Sequence, residues 1–198
     1  MDTLDRILQE SAKRHRHLCP RQVLGARMAL YAAELLGLEL PRADKRLLVI
    51  AETDGCAVDG LIAATGCRVG SRTLRILDFG KVAATFTDTH TGRSVRVCPS
   101  NECRTRARGC IPNARNRWEA MLLGYRIMPA EELFASQFVR LNAPLDELLG
   151  RRGRKTICDA CGEEIINGRE TERGGAILCL ACAGERYYEG LCSSPAAS

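Results

Sequence analysis

The segment from residue 158 to residue 182, CDACGEEIINGRETERGGAILCLAC, decides the fold of the C-terminal part of the chain. It contains two Cys-x-x-Cys pairs, Cys158 with Cys161 and Cys179 with Cys182. Zinc takes four ligands in a closed tetrahedral structural site, and two such pairs can supply all four thiolates. A segment of about forty residues rarely folds without a cross-link of this kind. The spacing therefore predicts a structural zinc ion in a small C-terminal finger.

The order of turns around these cysteines predicts a treble-clef zinc finger. Gly162 permits a tight knuckle turn after the second ligand, and Asn167-Gly168 can turn a hairpin, with a second flexible point at Gly174-Gly175. The last pair is expected to open a helix from Ala181 to about residue 189. An iron–sulfur cluster or a redox dithiol is the alternative. A closed site with four thiolates leaves no open coordination position, so the finger is expected to support structure rather than catalysis.

The charge distribution separates the finger from the rest of the chain. The stretch GRRGRK at residues 150–155 is the best domain boundary, which divides a core at residues 1–150 from the finger at residues 151–198. The formal net charge is +5, yet residues 156–198 carry three arginines against seven acidic side chains. Positive charge therefore concentrates in the linker and between Arg104 and Arg117. The acidic finger suits a protein partner better than nucleic acid.

The first 150 residues alternate helical and extended patterns, which predict an α+β core of helices packed on an antiparallel sheet. Helices are predicted over residues 3–14, 20–36, 56–65, 113–123 and 131–134, and strands over residues 47–51, 73–79, 82–87, 94–98 and 138–141. The turn at Gly80-Lys81 is expected to join the second and third strands as a hairpin. No apolar run reaches the ~18 residues of a membrane helix, and the N-terminus lacks a secretion signal, so we expect a cytoplasmic protein.

Two polar clusters in the core are candidates for chemistry. The chain has 11 cysteines, and in a reducing cytoplasm ligation is a better explanation for them than disulfides. The run HRHLCP at residues 15–20 places histidines beside Cys19 just before a predicted helix, and Cys56 lies at the start of another. Since helix N-termini favour thiolates, His17, Cys19 and Cys56 are predicted to converge on one metal site in a cleft. Asp59 could be a further ligand, an acceptor that orients the site, or a surface carboxylate.

These motifs resemble the family of the E-subunit of formylmethanofuran dehydrogenase. The matching pieces are HxHxCP at residues 15–20 with Gly25 and Arg27-Met28, E…CxxDG at residues 52–60, TGCxxG at residues 65–70, DFGKxA at residues 78–83 and, more weakly, ELF at residues 132–134. The resemblance implies an α+β core, a homodimer, and association with redox-enzyme subunits in one-carbon or methanogenesis-type metabolism. It also implies a C-terminal treble clef, which some members carry. The chain departs from the family at Arg21, where a glycine is usual.

The resulting hypothesis is a metal-binding accessory protein with a structural zinc and a second transition metal at the core site. Thiolate and imidazole ligands suit zinc, iron or copper(I). In an enzymatic variant of this hypothesis, Cys19 or Cys56 is a nucleophile activated by His17, although the sequence shows no catalytic role. The alternative is a nucleic-acid-binding zinc-finger regulator that uses the arginines at 104–117. An aromatic content of 5% counts against it. A buried Cys67 is equally well explained as a small apolar residue, and Cys98, Cys103, Cys110 and Cys192 receive no role.

Overall fold

The computed structural model describes residues 2–14, 17–149 and 153–189. The chain divides into two compact units, Met1–Asn142 and Ala143–Ser198. This division falls ahead of the boundary predicted after Gly150, so residues 143–149 belong with the second unit. Within the described ranges, none of the helices is both long enough and apolar enough to span a lipid bilayer.

Six helices belong to the first unit. They are α1 (Thr3–Arg14), α2 (Pro20–Leu36), α3 (Ala57–Thr65), α4 (Cys103–Cys110), α5 (Arg117–Ile127) and α6 (Ala130–Leu133). Helix α2 begins at Pro20, whose fixed φ and missing N–H suit a first helical position. It ends at Gly37, which adopts a left-handed φ of 69° that a side chain would oppose. Local signals at both ends therefore fix the helix that carries Cys19 at its start.

A five-stranded sheet completes the first unit and confirms the α+β class. Its strands are β1 (Leu47–Ala51), β2 (Leu74–Ile76), β3 (Ala84–Asp88), β4 (Ser94–Pro99) and β5 (Phe134–Val139), in the order β2-β1-β3-β4-β5. The neighbours are antiparallel except β1 and β2, which are parallel. The predicted hairpin between β2 and β3 is wrong. Helix α3 carries the chain from β1 to β2, and such a crossover joins parallel strands.

Helices α2 and α3 touch through two glycines. A Cβ atom on Gly25 would lie 2.0 Å from the carbonyl oxygen of Ala57, and one on Gly60 would lie 2.1 Å from the carbonyl oxygen of Gln22. Both distances are far below van der Waals contact, and the opposing atoms belong to the backbone. Only glycine at these two positions permits the N-terminal halves of the helices to approach this closely.

Arg27 fixes α5 against α2. Its guanidinium donates hydrogen bonds to the carbonyl oxygens of Tyr125 (2.9 Å), Arg126 (3.0 Å) and Met128 (2.7 Å). Carbonyl groups at a helix C-terminus have no partner within the helix, so a cation from α2 satisfies them and complements the helix dipole. This contact places the residues of α5 opposite the first turn of α2.

Asp88 organises the turn between β3 and β4. Its carboxylate accepts hydrogen bonds from Arg46 (2.9 and 3.0 Å), from the backbone N–H of His90 and from the hydroxyl of Thr91. The side chain is only 2% exposed. The Arg46 guanidinium holds the pKa of this carboxyl well below its usual range, and the His90 and Thr91 donors act in the same direction. The ion therefore stays charged in acid while the protein is folded.

We expect Asp88→Asn to lower the free energy of unfolding by about 2 kcal/mol at about pH 7, because a charge-assisted pair is lost in a buried position. A depressed folded-state pKa stabilises the protein above the unfolded-state value near 4 and stops doing so as pH falls through the folded-state value. Urea denaturation at neutral and acidic pH should therefore show a shallower acid dependence for the variant. Asp78→Asn is the control, because the Asp78 carboxylate is exposed and accepts only from the N–H of Gly80. Equal acid dependence for the wild type and Asp88→Asn would contradict this account.

The second unit is built from short elements. They are α7 (Leu145–Leu149), β6 (Lys155–Ile157), β7 (Glu164–Ile166), β8 (Thr171–Arg173), β9 (Ala176–Leu178) and a helical turn at Ala181–Glu185. Strands β6 and β7 pair antiparallel, as do β8 and β9. The second hairpin turns at Gly174-Gly175, whereas the predicted turn at Asn167-Gly168 joins strands that do not pair. The helix predicted to reach residue 189 ends at Glu185, because Gly184 has a left-handed φ of 109°.

Candidate metal centres

The four cysteines of the second unit form one cluster. Cys158 and Cys161 lie in the turn between β6 and β7, while Cys179 follows β9 and Cys182 lies in the helical turn. Their four Sγ atoms are all within 4.8 Å of one another. The N–H of Cys179 donates to the sulfur of Cys158 at 3.3 Å, and the N–H of Cys182 donates to the sulfur of Cys179 at 3.4 Å. Backbone donors aimed at sulfur are the contacts that stabilise thiolates.

The acidities of these thiols show that the cluster fits a cation. Backbone N–H groups of Cys179 and Cys161 lower the pKa of Cys158 to about 6. The pKa of Cys182 is raised to about 12 by its hydrogen bonds to the Cys179 and Cys161 thiols. One sulfur thus ionises readily and another resists ionisation beside its neighbours. A bound metal ion removes this conflict, because it stabilises all the thiolates together. The four-cysteine cluster can therefore hold a metal ion.

Cys19 and Cys56 meet at a cavity in the first unit. Cys19 is the residue before α2 and Cys56 the residue before α3, and their thiols are hydrogen-bonded neighbours. Both line a cavity of about 700 Å³ that also contacts β4, α4 and α5. The close approach of α2 and α3 through Gly25 and Gly60 explains why residues so distant in sequence are adjacent. The arrangement resembles a two-thiol ligand pair at the floor of a pocket.

Gln22 fixes the backbone at Cys19. Its Oε1 accepts from the N–H of Cys19 at 2.7 Å, and its Nε2 donates to the carbonyl oxygen (3.2 Å) and hydroxyl oxygen (2.9 Å) of Ser11. Gln22 and Ser11 are fully buried. Sequence reasoning missed Gln22, although a glutamine three residues after a helix start is a recognised capping signal. The side chain links α1 to α2 and leaves the Cys19 thiol facing Cys56.

The predicted acidity of Cys19 is wrong in direction. Burial raises the pKa of Cys19, and the N–H donors of Gln22 and Arg21 at the helix start do not offset it; the adjacent Cys56 thiol raises it further. Cys19 is only 8% exposed. The desolvation of the thiolate exceeds the effect of the helix N-terminus because the residue lies under the helix rather than at the surface. A buried thiol of this kind is a poor free nucleophile, which removes the support for the enzymatic variant.

His17 and Asp59 do not join this pair. His17 is exposed, Asp59 is half-buried, and neither lines the cavity. Among the residues that the structure describes, the four-cysteine cluster is the only group of three or more His, Cys, Asp or Glu side chains whose ligand atoms come within 4.8 Å of one another. His15 lies outside the described residues. The structure therefore brings together two of the four predicted core residues.

The remaining cysteines have separate environments. Cys67 is buried, its pKa is raised by burial, and its thiol donates to the carbonyl oxygen of Leu47 at 3.5 Å. Cys103 lines the cavity with its sulfur 3.9 Å from the hydroxyl of Tyr125. Cys98 lies in β4, Cys110 is exposed, and Cys192 is outside the described residues. None of the ten cysteines that the structure describes forms a disulfide.

The fold and the two sites define a class of protein in which an α+β core with a two-cysteine cavity precedes a unit with a four-cysteine cluster. The family model described as "FmdE, Molybdenum formylmethanofuran dehydrogenase operon" matches residues 14–135. This chain belongs to the FmdE family.

Two known proteins show how far the likeness extends. A protein of Archaeoglobus fulgidus named "Probable S-adenosyl-L-methionine-binding protein" is 30% identical over 207 residues, which cover 93% of this chain and 54% of the relative. The chain thus spans about half the length of that curated relative. The crystal structure of an FmdE-like protein of tungsten formylmethanofuran dehydrogenase, from Syntrophus aciditrophicus, aligns with a TM-score of 0.60 at 21% identity, over 94% of this chain and 95% of the other. That match shows a shared fold.

Proposed function

We propose that this protein is a metal-binding accessory protein that holds a transition metal between Cys19 and Cys56 and a structural zinc ion in a treble-clef-like finger. The observation that carries the proposal is the meeting of two thiols from two helices at the floor of one cavity. Paired thiolates at a pocket floor can leave coordination positions open for a ligand, whereas four cysteines close a site completely. The first centre is therefore the functional one and the second is structural.

The ligand set of the core centre is assigned to Cys19 and Cys56, with the other positions taken by molecules that enter the cavity. His17 and Asp59 are left out because neither lines it. Thiolate ligands suit zinc, iron or copper(I). Membership of the FmdE family supports an association with the subunits of a one-carbon redox enzyme, which would supply the physiological partner. No reaction is assigned to this chain itself.

A role in S-adenosyl-L-methionine binding, which the name of the archaeal relative suggests, is not part of the proposal. That molecule carries a sulfonium cation. The cavity is lined by Arg21, Arg104, Arg108 and Arg117 and by no carboxylate. Its potential therefore opposes a cation at the position where the ligand would lie.

Anaerobic elemental analysis of the purified full chain tests the metal assignment. We expect two metal ions per chain for the wild type and one for Cys19→Ser, because the remaining thiol cannot hold the core ion alone. Cys103→Ser is the matched control, since Cys103 lines the same cavity away from the pair. It should retain both ions. The proposal fails if Cys19→Ser retains as much metal as the wild type.

Family membership also supports a homodimer, which we include in the proposal. Light scattering at micromolar concentration should return twice the chain mass. A value equal to that of a single chain, unchanged over a range of concentrations, would exclude the dimer.

A further inference from the structure

The walls of the Cys19–Cys56 cavity carry an unbalanced charge. Four of the lining residues are arginines, and none is acidic. The arginines come from three elements: Arg21 from α2, Arg104 and Arg108 from α4, and Arg117 from α5. Cations from three separate helices that face one concave space raise the potential there more than the same charges spread over a convex surface.

The pattern of ion pairs divides the arginines of this region by the direction they face. Arg106 pairs with Glu102 at 2.7 Å and Arg115 pairs with Glu119 at 2.6 Å, and neither lines the cavity. In the part of the chain that the structure describes, the guanidinium groups of Arg21, Arg108 and Arg117 have no hydrogen-bond or ion-pair partner. Arg104 is hydrogen-bonded to the Tyr125 hydroxyl and has no carboxylate partner among the described residues. The cavity thus retains the cations that its surroundings do not neutralise.

Two of these arginines occupy positions that oppose helix stability. Arg21 is the second residue of α2, and Arg117 is the first residue of α5. The N-terminus of a helix carries partial positive charge, so arginine there is unfavourable unless an anion is nearby. The described chain supplies no such anion to either side chain. An anionic ligand in the cavity would remove the conflict at both helix starts.

The same cavity offers a surface for a planar ring. Trp118 follows Arg117 at its rim and is 43% exposed, and Met121 and Tyr125 continue this apolar side along α5. A large exposed tryptophan beside guanidinium groups is a platform on which an aromatic ring can stack. The volume of about 700 Å³ lies within the range of small-ligand pockets, which is about 300–1,000 Å³.

We propose that this cavity binds a small anionic molecule with a planar heteroaromatic ring, of the mononucleotide class. Its acidic group lies among Arg104, Arg108 and Arg117, and its ring lies on Trp118. This inference deepens the proposed function, on which it rests only in placing the other end of the ligand near a metal held by Cys19 and Cys56. Single-stranded nucleic acid would use the same arginines, but the concave site favours a small molecule over an extended strand.

Fluorescence tests the proposal directly, because Trp118 is the one tryptophan in the chain. AMP is the probe, and adenosine and ribose 5-phosphate are its two halves. We expect AMP to quench the emission of Trp118 at saturation and to bind at least about tenfold more tightly than either half, because a charge-assisted contact of ordinary strength corresponds to about tenfold in affinity. No quenching by AMP, or equal binding of AMP and adenosine, would overturn the assignment.

Paired variants separate the cavity from the general positive charge. Arg108→Ala combined with Arg117→Ala should weaken AMP binding by about tenfold to a hundredfold. Arg115→Ala is the control, because Arg115 pairs with Glu119 outside the cavity. It should leave the affinity within about twofold, with thermal unfolding used to confirm that each variant is folded. Equal losses in the double variant and the control would overturn the proposal.

Two further titrations distinguish the competing outcomes. A single-stranded oligonucleotide that binds at least about tenfold more tightly than AMP, with steep salt dependence, would identify a nucleic-acid surface and overturn the proposal. Cys19→Ser should still bind AMP while it lacks the core metal, which would support the ligand site independently of the metal. A wild-type chain that holds two metal ions but does not bind AMP would refute this inference and leave the proposed function standing.

Discussion

Gly60→Ala is expected to lower the free energy of unfolding of the first unit by about 3 kcal/mol, because the new methyl group cannot be accommodated. It would lie 2.1 Å from the carbonyl oxygen of Gln22 and 2.8 Å from the backbone nitrogen of Ala26. Both opposing atoms are backbone in α2, so no side-chain rotation can relieve the overlap. The two helices must separate. The thiols of Cys19 and Cys56, held together by this contact, must then separate too.

Urea denaturation followed by far-ultraviolet circular dichroism measures this effect, and Gly109→Ala is the matched control. Gly109 is also in a helix, and a Cβ atom there meets nothing within 4 Å. Its replacement should be neutral or stabilising by up to about 1 kcal/mol, because alanine is the better helix former. Similar stability for Gly60→Ala and Gly109→Ala would show that the helices do not depend on this crossing.

Cys161→Ser is expected to unfold the second unit while the first remains folded. The described hydrophobic residues of the second unit include only three buried side chains, Cys158, Ile165 and Ala183. So small a core cannot balance the loss of conformational entropy. Structural zinc contributes on the order of 10 kcal/mol to the folding of small metal-binding domains at neutral pH. Removal of one of four ligands should therefore remove the metal and the fold together.

Two-dimensional amide NMR spectra of the full chain distinguish local from global unfolding. For Cys161→Ser, we expect signals from residues 143–189 to collapse toward random-coil positions and signals from residues 2–142 to persist. Cys110→Ser is the control, because Cys110 is exposed and outside the cluster. Loss of dispersion across the first unit would mean that the two units fold as one.

Local signals in the sequence predicted those elements whose ends they mark. Helix α1, helix α2 and strand β1 have the predicted bounds, and for α2 the reason is visible in Pro20 at its start and Gly37 at its end. The pairing of β2 could not be predicted in this way. Gly80-Lys81 is an ordinary turn signal, and nothing local shows that β1 lies between β2 and β3. Strand order depends on contacts between distant segments, which a pattern of residues does not encode.

The candidate sites show the same division. The spacing of Cys158, Cys161, Cys179 and Cys182 predicted a cluster that the structure assembles. The core motifs pointed to Cys19 and Cys56, yet their contact depends on Gly25 and Gly60, whose role appears only when α2 and α3 are seen together. Gly60 had even weakened the helix prediction. The raised pKa of Cys19 likewise follows from burial, which is a property of the folded protein.

The central claim is that Cys19 and Cys56 hold a metal in an open site, and anomalous diffraction from crystals of the anaerobically purified full chain tests it most directly. We predict two anomalous peaks per chain. One should be surrounded by the four sulfurs of the second unit, and the other should lie about 2.3 Å from the sulfurs of Cys19 and Cys56, if the metal is zinc. A peak at the four-cysteine cluster alone, with the thiols of Cys19 and Cys56 in contact only with each other, would contradict the account.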